Sequence, residues 1–272
     1  MRSYLCAVIL TLLFILAFTG GSLAGSVPAL REEPEESVAD LAGDLTEKYR
    51  GRHPVLWGER LPGIVASLPQ QAAPETGERV MALTLDACDG GTDKRIIALL
   101  RQYAVPAAIF VTNRWLRNNL SIAKELASDS LFTLGCHGAR HKPASIAGKS
   151  AYGIRGNTNI AALVAEVERN ARALASVTGK RPRWYRSGTA HYDEVALAVI
   201  HDCGFWVAGY TVSIDAGASL AAGEVEARLK KAPPNAIILC HINHPESGTF
   251  GGLAAAIPAM LAAGVRFVPL HF

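Results

Sequence analysis

Charge is scarce in this chain of 272 residues: Asp, Glu, Lys and Arg make up only 19% of it, against 50% apolar residues. Such a composition is not that of a disordered chain, and it can supply a sizeable packed core. No block of Lys and Arg stands out and the net charge is only +3, so nucleic acid finds no electrostatic footprint. No Cys-x-x-Cys pair occurs, which removes the most specific signature of a structural zinc site. No unit repeats at the spacing of a solenoid or propeller. The long apolar run near the start, Leu5 to Phe18, is shorter than the ~20 residues that comfortably span a bilayer.

That run follows Arg2 and precedes Ser22-Leu23-Ala24, a small-x-small site. Residues 1–24 therefore read as an export signal cleaved after Ala24, with retention as an anchor the alternative; cleavage leaves no stable membrane span and a periplasmic or extracellular protein. Cys6 lies too near the start to serve as a lipid-attachment cysteine. The exported chain carries Cys88, Cys136, Cys203 and Cys240, among which the sequence selects no pairing. Three of these sit beside candidate site residues. They are read here as small apolar residues facing away from the site rather than as thiolate ligands, because neighbours on a strand point to opposite faces.

Residues 25–78 differ from the rest. Arg31-Glu32-Glu33-Pro34-Glu35-Glu36 is a charged patch, a helix is expected over Ser37 to Tyr49, and residues 70–77 have the composition of a linker. The expectation is a spacer packing on a main domain over residues 79–272. From Arg79 onward, strands alternate with helices. Strands are expected at Val80 to Leu85, Ala107 to Val111, Leu131 to Cys136, Arg183 to Tyr185, Phe205 to Val212, Ala236 to Cys240 and Val265 to Pro269. The expected helices include Asp93 to Tyr103, Ser121 to Ser128, Ile160 to Val177, Asp193 to His201, Ala222 to Lys230 and Leu253 to Ala262. This order implies right-handed crossovers and a parallel sheet, an α/β fold closed or nearly closed into a barrel.

Residues able to do hydrolytic chemistry stand where these strands end. His137 and His141 follow an apolar strand, with Gly138 between them and Pro143 after them, so a loop is expected rather than a helix. The helical zincin motif needs Glu where Gly138 stands. A loop can still aim two imidazoles at one Zn²⁺, whose catalytic sites use about three protein ligands and a water. Asp86 and Asp89 lie where a strand breaks into a Gly-rich turn. One carboxylate there can take a proton from an activated water, and a second can complete a metal's ligand set. For Asp89 the alternative is an Asx turn or helix cap. Asp86 follows Leu83-Thr84-Leu85, where an unpaired carboxylate would be costly, and Arg186 is available to pair with it. His241 ends Ile237-Ile238-Leu239-Cys240 and suits a general acid for an amine leaving group, with His244 as competitor. Asp215 either orients that histidine or caps a turn before Ala216-Gly217.

The stretch from about Arg79 to Phe272 resembles the polysaccharide deacetylases that share the NodB homology domain. The motifs that carry the resemblance are Thr84-Leu85-Asp86-Ala87, His137 to His141, Arg186-Ser187-Gly188-Thr189, the region of Asp215, and Leu239-Cys240-His241. His241 to Thr249 is similar to an exported bacterial subgroup. The resemblance implies a distorted (β/α)7 barrel and removal of acetyl groups from N-acetylated sugars with a divalent metal, Zn²⁺ by expectation. It implies Asp86 as base, His137 and His141 as metal ligands, His241 as general acid and Arg186 as the residue that steadies the base. Ala87 stands where the family places its metal-binding Asp. Asp89 is the expected replacement, with Asp86 itself the alternative. The fourth motif lacks its Trp.

The leading expectation is thus an exported deacetylase of an N-acetylglucosamine-containing polysaccharide or oligosaccharide, of peptidoglycan, chitin-like or exopolysaccharide type. Ala87 motivates a second, a catalytically silent glycan-binding protein on the same barrel. A metal-dependent amidase of a non-sugar substrate is a third, because fold does not fix substrate.

Overall fold

The segment Val80-Met81-Ala82-Leu83-Thr84-Leu85-Asp86-Ala87 is apolar on both faces through most of its length, and a strand so composed needs cover on both sides. In the computed structural model, which describes residues 36–69 and 79–270, it is buried throughout. The export signal and the 70–77 linker lie outside the described residues. In chain order the elements are α1 (Glu36–Lys48), β1 (Ile64–Val65), β2 (Val80–Ala87), α2 (Lys94–Gln102), β3 (Ala107–Val111), α3 (Asn113–Asn118), α4 (Leu120–Ala127), β4 (Phe132–Cys136), β5 (Ser150–Ala151) and β6 (Ile154–Arg155). They continue with α5 (Ile160–Thr178), β7 (Trp184–Tyr185), α6 (Glu194–Asp202), β8 (Trp206–Ala208), β9 (Val212–Ser213), α7 (Ala222–Lys230), β10 (Ala236–His241), α8 (Thr249–Ala262) and β11 (Arg266–Phe267).

The main sheet runs β1-β8-β7-β4-β3-β2-β10-β9, with β11 also on β2, and every pairing in it is parallel. It curls into the distorted (β/α)7 barrel that the resemblance implied, in keeping with the nearly closed parallel sheet expected from the alternation of elements. The period-two alternation of a strand divides the core in two. Met81, Leu83, Leu85 and Ala87 of β2 belong to the large cluster shared with the helices, including Leu100, Trp115, Leu163 and Ile257. Val80 and Ala82 belong to a smaller cluster with Ala108, Phe110, Trp184, Ala208 and Ile237, on the other face of the sheet. Each fully buried Val, Leu or Ile contributes about 1.5–3 kcal/mol, so both layers hold β2 in place.

Residues ahead of β2 are built into the sheet. β1 pairs with β8, Ser67 bridges to Ala236, and Leu68 N donates to Asn235 O at 2.8 Å. The Thr211 hydroxyl donates to Ala66 O at 2.7 Å and accepts from Ile237 N at 2.9 Å, which ties the end of β1 to β10. α1 packs on α5.

The strand expected over Phe205 to Val212 is broken into β8 and β9. Gly209 is the reason: a Cβ there would meet Ile64 Cγ2 at 2.6 Å, so the chain turns close against β1. The helix expected from Leu253 begins earlier, at Thr249. The sequence pattern also gave no sign of α3, whose first turn is capped by the Thr112 hydroxyl accepting from Trp115 N at 3.1 Å. No helix among the described residues is long and apolar enough to cross a membrane.

Candidate active site

Parallel strands bring their carboxyl ends to one rim, and here β2, β4, β7 and β10 deliver Asp86, His137, Arg186 and His241. Asp86 and His241 are partners in the β2–β10 register, so they start as neighbours.

Asp86 is 4% exposed and Arg186 wholly buried. Arg186 Nη1 donates to Asp86 Oδ1 at 2.8 Å, and Nη2 donates to the Thr84 hydroxyl at 3.0 Å and to Gly209 O at 2.8 Å. Nε donates to Ala208 O at 3.2 Å, and the guanidinium lies 4.4 Å from the Phe110 ring centroid. The break after β8 thus has a use: it turns two carbonyls toward this cation. Burial works to raise the Asp86 pKa, but the positive charges of His137, Arg186 and His241 outweigh it and hold the carboxyl below its ordinary value.

The histidine loop is positioned by α5. Asn170 Oδ1 accepts from His137 N at 2.8 Å and Gly138 N at 2.9 Å. Four residues earlier on the same face, Glu166 Oε1 accepts from Arg140 N at 2.7 Å. His137 Nδ1 lies 3.0 Å from Arg186 O, which can only accept, so Nδ1 carries a proton and Nε2 is the ring atom turned toward Cys88 and Asp86. His141 sits at φ +61°, and its buried Nε2 has no hydrogen-bond partner. Gly188 lies against it so tightly that a Cβ would come within 2.3 Å of the His141 carbonyl carbon.

The third member of this cluster is Cys88, which corrects two expectations. The donor atoms of Cys88, His137 and His141 all lie within 4.8 Å of one another, and Cys88 Sγ is 3.6 Å from His137 Nε2. Burial would raise the Cys88 pKa, but the His137, His141 and His241 rings around it bring it well below the usual thiol value. Asp89, expected as the ligand, instead leaves half its side chain exposed; it accepts from Gly90 N at 2.8 Å and approaches Arg114 at 3.8 Å. The helix cap nearby is Asp93. Ala87 belongs to the helix-facing core, so its position does not address the cluster at all. Cys136 and Cys240 do face away as expected, and all four described cysteines are free.

His241 Nδ1 donates to Asp215 Oδ1 at 3.0 Å. Asp215 Oδ2 accepts from His241 N at 2.7 Å and from the Thr249 hydroxyl at 2.9 Å. Burial opposes a charged His241, but the bond to Asp215 and the nearby Cys88 and Asp86 raise its pKa well above the ordinary value. Asp215 moves the opposite way, lowered chiefly by His241 against the effect of burial. His244, the competitor, is paired at 2.9 Å with exposed Glu246.

Asp86, Cys88, His141 and His241 line a cavity of about 530 Å³ that also takes in Glu59, Tyr152 and Tyr210. Tyr152 and Tyr210 both donate to Glu59, at 3.0 and 2.8 Å. These three carried no signal in the sequence, since Glu59 precedes the patterned part and Tyr152 sits in a hairpin outside the main sheet. A cavity of this size suits a small ligand or a sugar unit. Asp86 and His241 have pKa values pushed apart within it, an ionised carboxylate and a protonated imidazole on one site, which is the pairing that hydrolysis needs.

The family model described as polysaccharide deacetylase matches residues 73–208. Among solved structures, Bacillus subtilis PdaA, a family 4 carbohydrate esterase, is similar at 19% identity and a TM-score of 0.61, covering 84% of this chain and 86% of that one. The Bc1960 peptidoglycan N-acetylglucosamine deacetylase is similar at 21% identity and a TM-score of 0.63, covering 76% of this chain and 91% of that one. BA3943 of Bacillus anthracis, described as a pseudoenzyme of the same esterase family, is similar at 18% identity and a TM-score of 0.60, covering 85% and 79%. No curated protein matches the chain.

Proposed function

The chain belongs to the polysaccharide deacetylase family, and from that membership we propose that it is an exported, metal-dependent hydrolase that removes N-acetyl groups from an N-acetylglucosamine-containing glycan. The observation that carries this reading is the convergence on one cavity of Asp86, held by Arg186, and His241, held by Asp215, with His141, whose buried Nε2 has no hydrogen-bond partner.

The donor set fits a divalent cation. His141 Nε2 is buried without a partner and His137 presents Nε2 to the same cluster, so both rings can hold the ion. Bound there, Zn²⁺ supplies polarisation of the acetyl carbonyl and an acidified water. Asp86, ionised because of its cationic neighbours, accepts the proton of the attacking water. Arg186 fixes its Oδ1 and so sets the direction of the other oxygen. Water oxygen bonds to the acetyl carbon, the C–N bond breaks, and His241 passes a proton to the departing amine. Asp215 holds His241 by Nδ1 and keeps it charged until that transfer. Acetate and a free amino sugar leave.

Replacing Asp86 with Asn keeps the side chain's shape and removes the base. Acetate release is expected to vanish while the circular dichroism spectrum stays unchanged; full turnover by Asp86→Asn removes Asp86 from the mechanism.

The second reading, a silent glycan-binding protein, is motivated by Ala87 and weakened by where that residue packs. Its side chain packs in the helix-facing core, where an aspartate would be buried among apolar groups rather than aimed at the histidines. Metal analysis separates the two: near-stoichiometric Zn²⁺ that is lost in His137→Ala supports the enzyme, and no bound metal supports the silent binder.

A further inference from the structure

We infer that Cys88 Sγ is the third protein ligand of the metal, giving a Cys-His-His centre that leaves the Asp86 carboxylate free to act as base. The inference rests on the metal-dependent reading above and specifies its ligand set.

Bond lengths support it. Zn–S near 2.3 Å and Zn–N near 2.0–2.1 Å, set at a tetrahedral angle, separate sulfur and nitrogen by about 3.6 Å. Cys88 Sγ stands 3.6 Å from His137 Nε2. The third donor, His141, brings a buried ring nitrogen with no other partner, within 4.8 Å of both. Among the described residues this is the only group of three or more His, Cys, Asp or Glu donors that meets so closely.

The carboxylates are accounted for elsewhere. Asp89 is turned to solvent and Arg114. Asp86 Oδ2 does lie 3.5 Å from His137 Nε2, but it does not join the mutually close set, and its Oδ1 is bound by Arg186 at 2.8 Å. The strand explains the exchange. Thr84, Asp86 and Cys88 alternate with Leu85 and Ala87, so a donor at 88 shares the face of the base, whereas one at 87 would not. A soft thiolate also selects among metals. It favours Zn²⁺ and Co²⁺ over Mg²⁺ and Mn²⁺, which prefer oxygen ligands.

The test is the absorption spectrum of the full protein loaded with Co²⁺, together with Zn²⁺ affinity by chelator competition. The expected result is a sulfur-to-cobalt charge-transfer band in the near-ultraviolet that disappears in Cys88→Ser. Zn²⁺ affinity should fall at least about 100-fold in Cys88→Ala, since losing even an outer partner of a ligand costs 10–100-fold. Absence of the band in the loaded wild type overturns the inference. So does Zn²⁺ affinity unchanged in Cys88→Ala, or lost in Asp86→Asn while Cys88→Ala keeps it. These readouts need no substrate, so a protein that shows the band and releases no acetate would count against the proposed reaction and not against this ligand.

Discussion

Asp86 and Cys88 stand two residues apart at the end of one strand, and both open onto the same cavity. They are two donors of different chemistry on one face. The hard carboxylate is neutralised by the Arg186 guanidinium, and the soft sulfur faces imidazoles. That division lets one group take protons while the other binds a cation. Four consequences can be measured.

Removing Arg186 should strip the carboxylate of its buried partner. Breaking one side of a buried pair costs about 3–5 kcal/mol, so Arg186→Met is expected to lose that much stability in chemical denaturation. Arg186→Lys should recover only part of it, because a single ammonium cannot reach Asp86, Thr84 and the two carbonyls as a planar fork does.

Asp215 holds the His241 pKa up, so the pH profile should report it. In Asp215→Asn the histidine loses its proton at lower pH, and the alkaline limb of kcat/KM is expected to move downward in pH. The rate at neutral pH should fall by roughly 10²–10⁴. Stability changes with the opposite signs of the two groups. The Asp215 contribution is present above its unfolded pKa of about 3.9 and is lost as pH falls through the lower folded value. The His241 contribution is present below about 6.5 and is lost as pH rises through its higher folded value. Denaturation midpoints across pH should therefore show a shallower acid and alkaline fall in the variant than in the wild type.

Asn170 touches no substrate but holds the loop that carries both histidines. Asn170→Ala leaves the Gly138 amide without its acceptor and the His137 amide with Val111 O alone, at a cost of about 1–3 kcal/mol for a buried unsatisfied group. Metal affinity, read by chelator competition, should fall about 10–100-fold.

Gly188→Ala tests the close approach to His141. A Cβ within 2.3 Å of a carbonyl carbon has backbone to displace, and overpacking of this kind costs about 1–3 kcal/mol. Both stability and metal affinity are expected to drop. Gly43, inside α1, is the control, because a Cβ added there would meet nothing within 4 Å. Gly43→Ala should stabilise by roughly 0.5–1 kcal/mol.

Much of the barrel was legible because apolar runs ended at turn residues. Ala107 to Val111 was expected with the observed bounds, and Asp86 with Arg186 was readable as a pair because an isolated carboxylate after Leu83-Thr84-Leu85 would be too costly. Cys88 was misread, although the signal was present. The opposite-face rule applies to Cys136 beside His137 and to Cys240 beside His241, but Cys88 is two residues from Asp86 and so shares its face. Asp89 looked equivalent to a ligand only while the turn after β2 was undetermined. Glu59 and Tyr152 were beyond reach, since neither lies in a patterned segment and only the closed fold brings them together. The break at 209–211 was likewise hidden, because Gly209 turns for contact with Ile64, a residue far away in sequence.

The most direct test of the account is acetate release by the Zn²⁺-loaded protein from N-acetylglucosamine oligomers and from peptidoglycan fragments, compared with Asp86→Asn and His137→Ala. The account predicts release from at least one of these glycans by the wild type and none above background from either variant. A fully loaded wild type that releases no acetate from either glycan, or variants that match it, would contradict the account.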